Sequence, residues 1–293
     1  MSEAKAKPGT VKTIAAILLA IIILAIAQTM SQLLGSLAVT FGVPLEAGYV
    51  VAGILYPILT YLGVKLLCAK LLKISLSDCK MPRFSLRPIW AAAAVIMPCL
   101  VSLVLCMTPG HWEDHALNGE EITQIITAAV FFYGIGTGLV EEMIFRGVIM
   151  SALEYRCNKY VAIFVPSVLF GMLHIIGSEL DWISIIQLIV AGSIVGILFS
   201  LVTYESGNVW NSAIMHGIWN IIMIGGILQI SADSEELSIY NYVLDTDSFL
   251  ITGGDFGVEA SIISILAYLG FIVLALMLMK RLSCQRNFME ENK

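Results

Sequence analysis

The chain has 293 residues, of which 58% are hydrophobic and 13% are charged, and its mean hydropathy is +0.89. Soluble domains carry about 25% charged residues. This composition therefore excludes an ordinary water-soluble fold and implies a helical bundle in a lipid bilayer, where helices satisfy their own backbone polar groups. A formal net charge of −6 argues against nucleic acid as a partner.

Eight apolar segments, at ~20 residues each, are long enough to cross a hydrocarbon core. They fall at about 13–36, 46–69, 88–108, 122–152, 159–177, 183–203, 208–230 and 259–280. The first is longer than the apolar part of a usual signal peptide and no convincing cleavage site follows it, so it reads as a retained helix. No lipidation motif stands at either end. The third segment contains Pro98 and the fifth Pro166, which neighbouring helices in a bundle accommodate. The fourth is over-long. No linker or low-complexity tract divides the chain. The fold class expected is all-α, a polytopic membrane bundle of about eight transmembrane helices. It comprises one membrane domain, 13–280, between cytoplasmic tails at 1–12 and 281–293.

Basic residues set the orientation. Lys5, Lys7 and Lys12 precede the first segment, and Lys65, Lys70, Lys73, Lys80, Arg83 and Arg87 lie at the second-to-third connection. Arg156 and Lys159 join the fourth and fifth, while Lys280, Arg281, Arg286 and Lys293 follow the eighth. With eight crossings and both termini in the cytoplasm, all of these fall on the cytoplasmic side. The opposite loops contain no Lys or Arg and are acidic: Glu113, Asp114, Glu120 and Glu121, then Glu179 and Asp181, then Asp233, Glu235, Glu236, Asp245, Asp247 and Asp255. The expected location is a multi-pass protein of a membrane, a bacterial cell membrane by preference.

Five ionisable residues remain at membrane depth: Glu141, Glu142 and Arg146 on the fourth segment, His174 on the fifth and His216 on the seventh. A charge at mid-helix costs about 2.5–3.5 kcal/mol on insertion scales, so such residues mark a function or a buried partner. At 1.5 Å per residue, Glu141 stands about 20 Å and His174 about 21 Å above the cytoplasmic helix ends, with His216 at about 12 Å and Asn220 at about 18 Å. Three helices therefore bring polar groups to one layer. Glu142 and Arg146 are spaced i,i+4 and pair on one face, which leaves Glu141, turned by about 100°, free to act on a water molecule. A desolvated carboxylate beside a histidine suits general-base work. His216 and Asn220 share a face and both donate hydrogen bonds, as an oxyanion requires. Phe170, one turn before His174, reads as packing against that ring. A purely structural ion-pair cluster is the bland alternative.

The motifs Glu141-Glu142-x-x-x-Arg146, Phe170-x-x-x-His174 and His216-x-x-x-Asn220 together resemble those of the CPBP family, which includes the Ras-converting CAAX-prenyl endopeptidase and the bacterial Abi proteins. The matching core covers roughly 120–230, with no departure from the pattern, and an eight-helix topology resembles the family too. The resemblance implies peptide-bond hydrolysis inside the membrane. Glu141 and His174 would activate the water, His216 and Asn220 would form the oxyanion hole, Glu142 and Arg146 would support the site, and Phe170 would line it. The family's cavity is expected to open to the cytoplasm. Peptide or protein tails presented at the membrane are the implied substrates, and the bilayer is the other partner.

No cofactor is favoured. Zinc held by Glu141, His174 and His216 is the alternative, but there is no HExxH pair and the three residues lie on three segments without a recognisable zinc spacing. A non-enzymatic bacteriocin-immunity or scaffolding protein is the competing function, ahead of a transporter, for which internal repeats and a polar path across the membrane are missing. His111 and His115, in the stretch HWEDH, read as a solvated loop rather than a metal site. Trp90, Trp112, Trp182 and Trp210 lie near segment ends, as interfacial anchors do, and Trp219 beside Asn220 reads as cavity wall or bundle packing. The six cysteines, Cys68, Cys79, Cys99, Cys106, Cys157 and Cys284, show no metal or disulfide pattern.

Overall fold

The computed structural model describes residues 8–291. Lys5, Lys7 and Lys293, counted above toward the cytoplasmic charge, lie outside the described residues. Each of the eight expected segments contains a helix: α1 (Thr10–Thr40), α2 (Leu45–Leu67), α3 (Pro88–Cys106), α4 (Gly119–Arg156), α5 (Lys159–Leu173), α6 (Trp182–Ser206), α7 (Trp210–Met223) and α8 (Ile262–Glu291). Six of these, all but α5 and α7, are long and apolar enough to cross a membrane. α8 runs on through most of the expected tail.

The expected spans 159–177 and 208–230 overreach. α5 has 15 residues and α7 has 14, which at 1.5 Å per residue cover only about 22 and 21 Å of a core about 30 Å thick. The reasons are local. α5 stops at its C-cap His174, and Gly177 then turns the chain with φ 85°. After α7, Gly226 (φ 75°) takes the backbone out of the helix, a conformation that favours glycine. Residues 228–230, assigned above to the seventh segment, instead lie in the strand β2 (Leu228–Ser231).

The helix starts follow from short polar side chains. Asn118 opens α4 with a capping box: its Oδ1 accepts from the N–H groups of Glu120 and Glu121, while Glu121 Oε2 accepts from Asn118 N. Asn158 caps α5 through the amides of Tyr160 and Val161, and Asp181 caps α6 through Ser184 N at 2.6 Å. The Ser184 hydrogen bonds hold the Asp181 carboxyl below the usual carboxylate range. Pro98 and Pro166 lie inside continuous helices, as the bundle reading anticipated.

The interior is layered around α7, which packs on α3, α4 and α6, while α5 packs on α6, α1 on α2 and α8 on α6. Glycine makes the closest of these contacts. A Cβ on Gly138 of α4 would stand 2.7 Å from Gly217 Cα, and one on Gly217 of α7 would stand 2.8 Å from Gly134 O. The obstructing atoms are backbone and cannot swing aside, so small residues set the spacing of the two helices. α5 and α6 meet in the same way at Gly171 and Gly192.

Outside the bundle a three-stranded sheet forms, ordered β1 (Gly110–Glu113), β3 (Tyr240–Leu244), β2 (Leu228–Ser231). β1 pairs antiparallel with β3 in the register His111↔Val243, and β2 pairs parallel with it. HWEDH is therefore largely a strand and not a loop. His111 Nδ1 lies 3.1 Å from Asp245 Oδ1, and His115 Nε2 lies 3.1 Å from Asn241 Nδ2. Trp112 and Trp182 are exposed as anchors should be, whereas Trp90 is fully buried with its Nε1 donating to Glu205 Oε2 at 2.7 Å. The same carboxylate pairs with Arg87, so Trp90 belongs to an internal polar cluster. Cys68 and Cys79 are buried with their sulfurs 3.3 Å apart, a proximity their spacing did not suggest.

Gly217→Val should push α7 off α4 and lower stability by about 1–3 kcal/mol, the range for overpacking a filled contact. The unfolding midpoint of detergent-extracted protein, compared with wild type, checks this. An unchanged midpoint would mean the backbone contact is not constraining.

Candidate active site

α4 is not uniformly α-helical. Its α-helical stretch Gly138–Glu142 lies between two π-helical ones, Ala128–Thr137 and Met143–Ile149, and Thr137 Oγ1 donates to Phe132 O five residues back. Such widened turns recur at functional sites. Here they flank the adjacent glutamates.

Glu142 and Arg146 pair as the i,i+4 spacing predicts. Arg146 Nη1 donates to Glu142 Oε1 at 2.8 Å, and both side chains are completely buried. Arg146 Nη2 donates to Gly196 O of α6 at 3.2 Å. The guanidinium lies 4.8 Å from the Phe170 ring centre and 5.3 Å from that of Phe199, within the range of a cation–π contact.

Glu142 also has a partner that spacing along one helix could not reveal. Its Oε1 lies 3.2 Å from His216 Nδ1. An ionised carboxylate only accepts hydrogen bonds, so this contact assigns the proton to Nδ1. The other ring nitrogen, Nε2, stands 3.7 Å from Glu141 Oε2. Phe199 stacks on the His216 ring at 5.0 Å and 22°, fixing the plane in which those nitrogens point. Nothing in the α6 sequence had singled out Phe199.

His174 is oriented by its own helix. Its Nδ1 is 2.8 Å from Phe170 O, and since a carbonyl only accepts, Nδ1 donates and Nε2 keeps its lone pair in the neutral ring. The Phe170 ring packs 4.7 Å from the His174 ring and 5.8 Å from that of His216, the packing role read from sequence. Asn220 is 2% exposed and donates from Nδ2 to Tyr133 O at 3.0 Å, which leaves its second amide hydrogen uncommitted. Asn220 Oδ1 and Glu141 Oε2 are buried without a hydrogen-bond partner among the described residues.

Glu141, Phe170, His174, His216 and Asn220 all line one cavity of about 320 Å3. Glu142 and Arg146 lie beneath its wall and support it. The wall also contains Trp219, Phe256 and Glu259. Glu259 adds a sixth ionisable residue to the five read at membrane depth. It was the first residue of the expected span 259–280, and at that boundary it was counted neither with the loop acids nor with the residues at membrane depth.

The remaining lining residues show which way the cavity runs. They include Tyr133 and Thr137 on the N-terminal side of Glu141, Leu188 and Ala191 near the start of α6, and Ile224 just after α7. These five belong to the helix halves that end in the acidic, Lys- and Arg-free loops and the sheet, whereas Val195 and Phe199 stand just past the middle of α6 toward its other end. None comes from the connections 68–87, 157–158 or 207–209, the first of which is basic and the second flanked by Arg156 and Lys159. Most of the space beside the carboxylates thus lies toward the helix ends that meet the acidic loops.

Among the described residues, no group of three or more His, Cys, Asp and Glu side chains is arranged to hold a metal ion. Glu141, His174 and His216 share a wall without forming such a ligand set.

Glu142→Gln should lower stability by about 3–5 kcal/mol, because it leaves Arg146 buried without its counter-charge. The yield and unfolding midpoint of the extracted protein measure the loss. Glu142→Gln combined with Arg146→Met should recover most of it, and a double variant no better than the single one would show that the pair is not what holds the helix.

Residues 123–222 match the family model described as Rce1-like: Type II CAAX prenyl endopeptidase Rce1-like. No curated protein and no solved structure matches the chain. The matched segment contains Glu141, Glu142, Arg146, Phe170, His174, His216 and Asn220, and it excludes the 254–260 turn that supplies Phe256 and Glu259. Residues 123–222 of this multi-pass membrane protein are thus similar to an Rce1-like type II CAAX prenyl endopeptidase domain, a match consistent with an intramembrane protease of the CPBP family.

Proposed function

We propose that the protein is an intramembrane endopeptidase of glutamic type, in which Glu141 and His174 activate water and His216 and Asn220 stabilise the oxyanion. The observation that carries this reading is the convergence of polar side chains from three helices on one cavity, inside the segment that matches the endopeptidase family. Glu141 Oε2 and the free lone pair of His174 Nε2 are acceptors available to a water molecule. As the water oxygen attacks the peptide carbonyl carbon, Glu141 takes its proton. The carbonyl π electrons move to oxygen, where the uncommitted Nδ2 hydrogen of Asn220 and Nε2–H of His216 receive the negative charge. The tetrahedral species then collapses, the C–N bond breaks, and the proton passes from Glu141 to the leaving nitrogen. With His216 Nδ1–H committed to Glu142, donation from Nε2 requires the doubly protonated ring, and the two neighbouring glutamates supply its counter-charge.

The basic connections favour an orientation with both chain ends in the cytoplasm. With that orientation the cavity faces the opposite side, and substrate arrives from the non-cytoplasmic surface or the leaflet next to it. The substrate class is a peptide or protein segment held at the membrane.

Glu141→Gln and His174→Ala should each reduce hydrolysis by about 10²–10⁴-fold, the usual worth of a positioned base, while the protein still inserts and extracts normally. Comparing membrane-associated peptides in cells carrying wild type or Glu141→Gln identifies the substrate and measures the effect. If both variants process it at the wild-type rate, the reading fails. Activity should also persist after exhaustive chelation, and one stoichiometric zinc per chain would overturn the metal-free assignment.

Sidedness is checked with an impermeant maleimide. In a chain whose other cysteines are replaced, exposed Cys157 should react only after the cells are permeabilised, and Asp247→Cys should react in intact cells. The reverse pattern would return the cavity to the cytoplasmic side.

A further inference from the structure

The cavity wall contains a carboxylate that the proposed hydrolysis does not use. Glu259 lies in the turn Val258–Ala260, immediately before α8, and lines the same cavity as Glu141, His174 and His216. Its backbone is held from two helices. Tyr268 Oη donates to Glu259 O, Ser264 Oγ donates to Val258 O at 2.6 Å, and Gln187 Nε2 of α6 donates to Ala260 O at 2.8 Å. The neighbouring Phe256 ring meets the His174 ring edge-on at 6.2 Å. This turn is therefore a fixed part of the wall and not a passing loop.

The contrast with three other acids of the bundle is one of charge, and Glu141 is already assigned to the hydrolysis. Glu142 pairs with Arg146, Glu205 with Arg87 and Glu154 with Lys80. The Glu259 side chain accepts one hydrogen bond, from the uncharged Trp219 Nε1 at 3.2 Å, and forms no ion pair among the described residues. A carboxylate set in an apolar wall without a cation is unfavourable unless something of opposite charge meets it. The route to it is acidic as well. A second cavity, lined by Glu121 and Glu235, adjoins the first and shares Tyr133 and Ile224 with it. The loops on that side carry no Lys or Arg. Such a surface attracts cationic ligands and repels anionic ones.

We infer that Glu259 is a specificity residue that receives the ammonium or guanidinium of a Lys or Arg next to the scissile bond, so that the substrate is a basic membrane-associated peptide. This assignment rests on the endopeptidase reading for its reaction, but its binding test stands apart from that reading. Gln at position 259 keeps an acceptor for Trp219 and removes only the charge.

The test uses the full chain in detergent or liposomes, with quenched fluorescent peptides that share an apolar segment and carry Lys, Arg, Gln or Glu beside it. Wild type should favour the Lys and Arg peptides over the Gln peptide by at least about tenfold in kcat/KM, mostly through KM, as expected for a partly desolvated charge pair. In Glu259→Gln that ratio should fall to near one, and Glu259→Lys should favour the Glu peptide. Damage to the Trp219 contact alone would slow all peptides alike and leave the ratio standing, which overturns the inference. Binding of the same peptides to Glu141→Gln protein, with and without Glu259→Gln, gives the preference without turnover. If no peptide is cleaved but binding shows the charge-dependent preference, the hydrolytic reading fails and the Glu259 assignment stands. A binding ratio unmoved by Glu259→Gln overturns it.

Discussion

Arg146 is the constraint around which the site is built. A guanidinium with no exposed surface, at membrane depth, requires a carboxylate within hydrogen-bond reach and aromatic surface over its faces. Glu142 supplies the first, and Phe170 and Phe199 the second. Each of these residues then passes its position on. Glu142 Oε1 holds His216 Nδ1, Phe199 stacks on the same imidazole, and Phe170 presents its carbonyl to His174 Nδ1. The ion pair thus fixes the tautomer of one histidine directly and the placement of the other through the phenylalanine between them. A buried pair is weak support for stability on its own; here it also orients the groups assigned to the chemistry.

That arrangement requires α4 and α7 to approach closely enough for a side chain on one to reach a side chain on the other. The glycines at 134, 138 and 217 remove the side chains that would separate them. The truncation of α5 and α7 contributes in a different way. Both helices end inside the thickness of the bundle, so His174 at the end of α5 and Asn220 in the last turn of α7 stand beside space instead of beside another turn of helix. Helix ends at membrane depth are tolerable only where protein or a cavity surrounds their carbonyls. The short helices and the cavity accordingly explain each other.

Much of this was legible in the sequence because the cost of charge in hydrocarbon singles out the few residues that bear it. The helical segments, the Glu142–Arg146 pair and the packing role of Phe170 follow from apolar length, from i,i+4 spacing and from an aromatic residue one turn from a histidine. What escaped is what depends on contacts between helices. Phe199 looks like any other apolar residue of α6 until His216 stacks on it. Glu142 reads as the partner of one residue and serves two. Trp90 has the position of an interfacial anchor, yet Glu205 from a distant part of the chain, paired with the neighbouring Arg87, draws it inside. The ends of α5 and α7 were misplaced because apolar composition continues past them, and the glycine turns and strand pairing that stop the helices are local or long-range events to which hydropathy is insensitive. Glu259 fell on the boundary between an apolar run and an acidic loop, where either assignment satisfies composition.

The sidedness of the molecule joins these strands. Charge segregation and cavity position are independent observations, one from the loops and the other from the interior. The basic side carries the helix connections at 68–87 and beside Arg156 and Lys159. The acidic side carries the sheet, the adjoining Glu121 and Glu235 cavity and the turn bearing Glu259. An acidic approach to a site whose chemistry already contains Glu141 would disfavour anionic ligands throughout. Glu141 and Glu259 stand in one wall, so a basic side chain that enters the cavity meets both carboxylates and an acidic one is turned away by both.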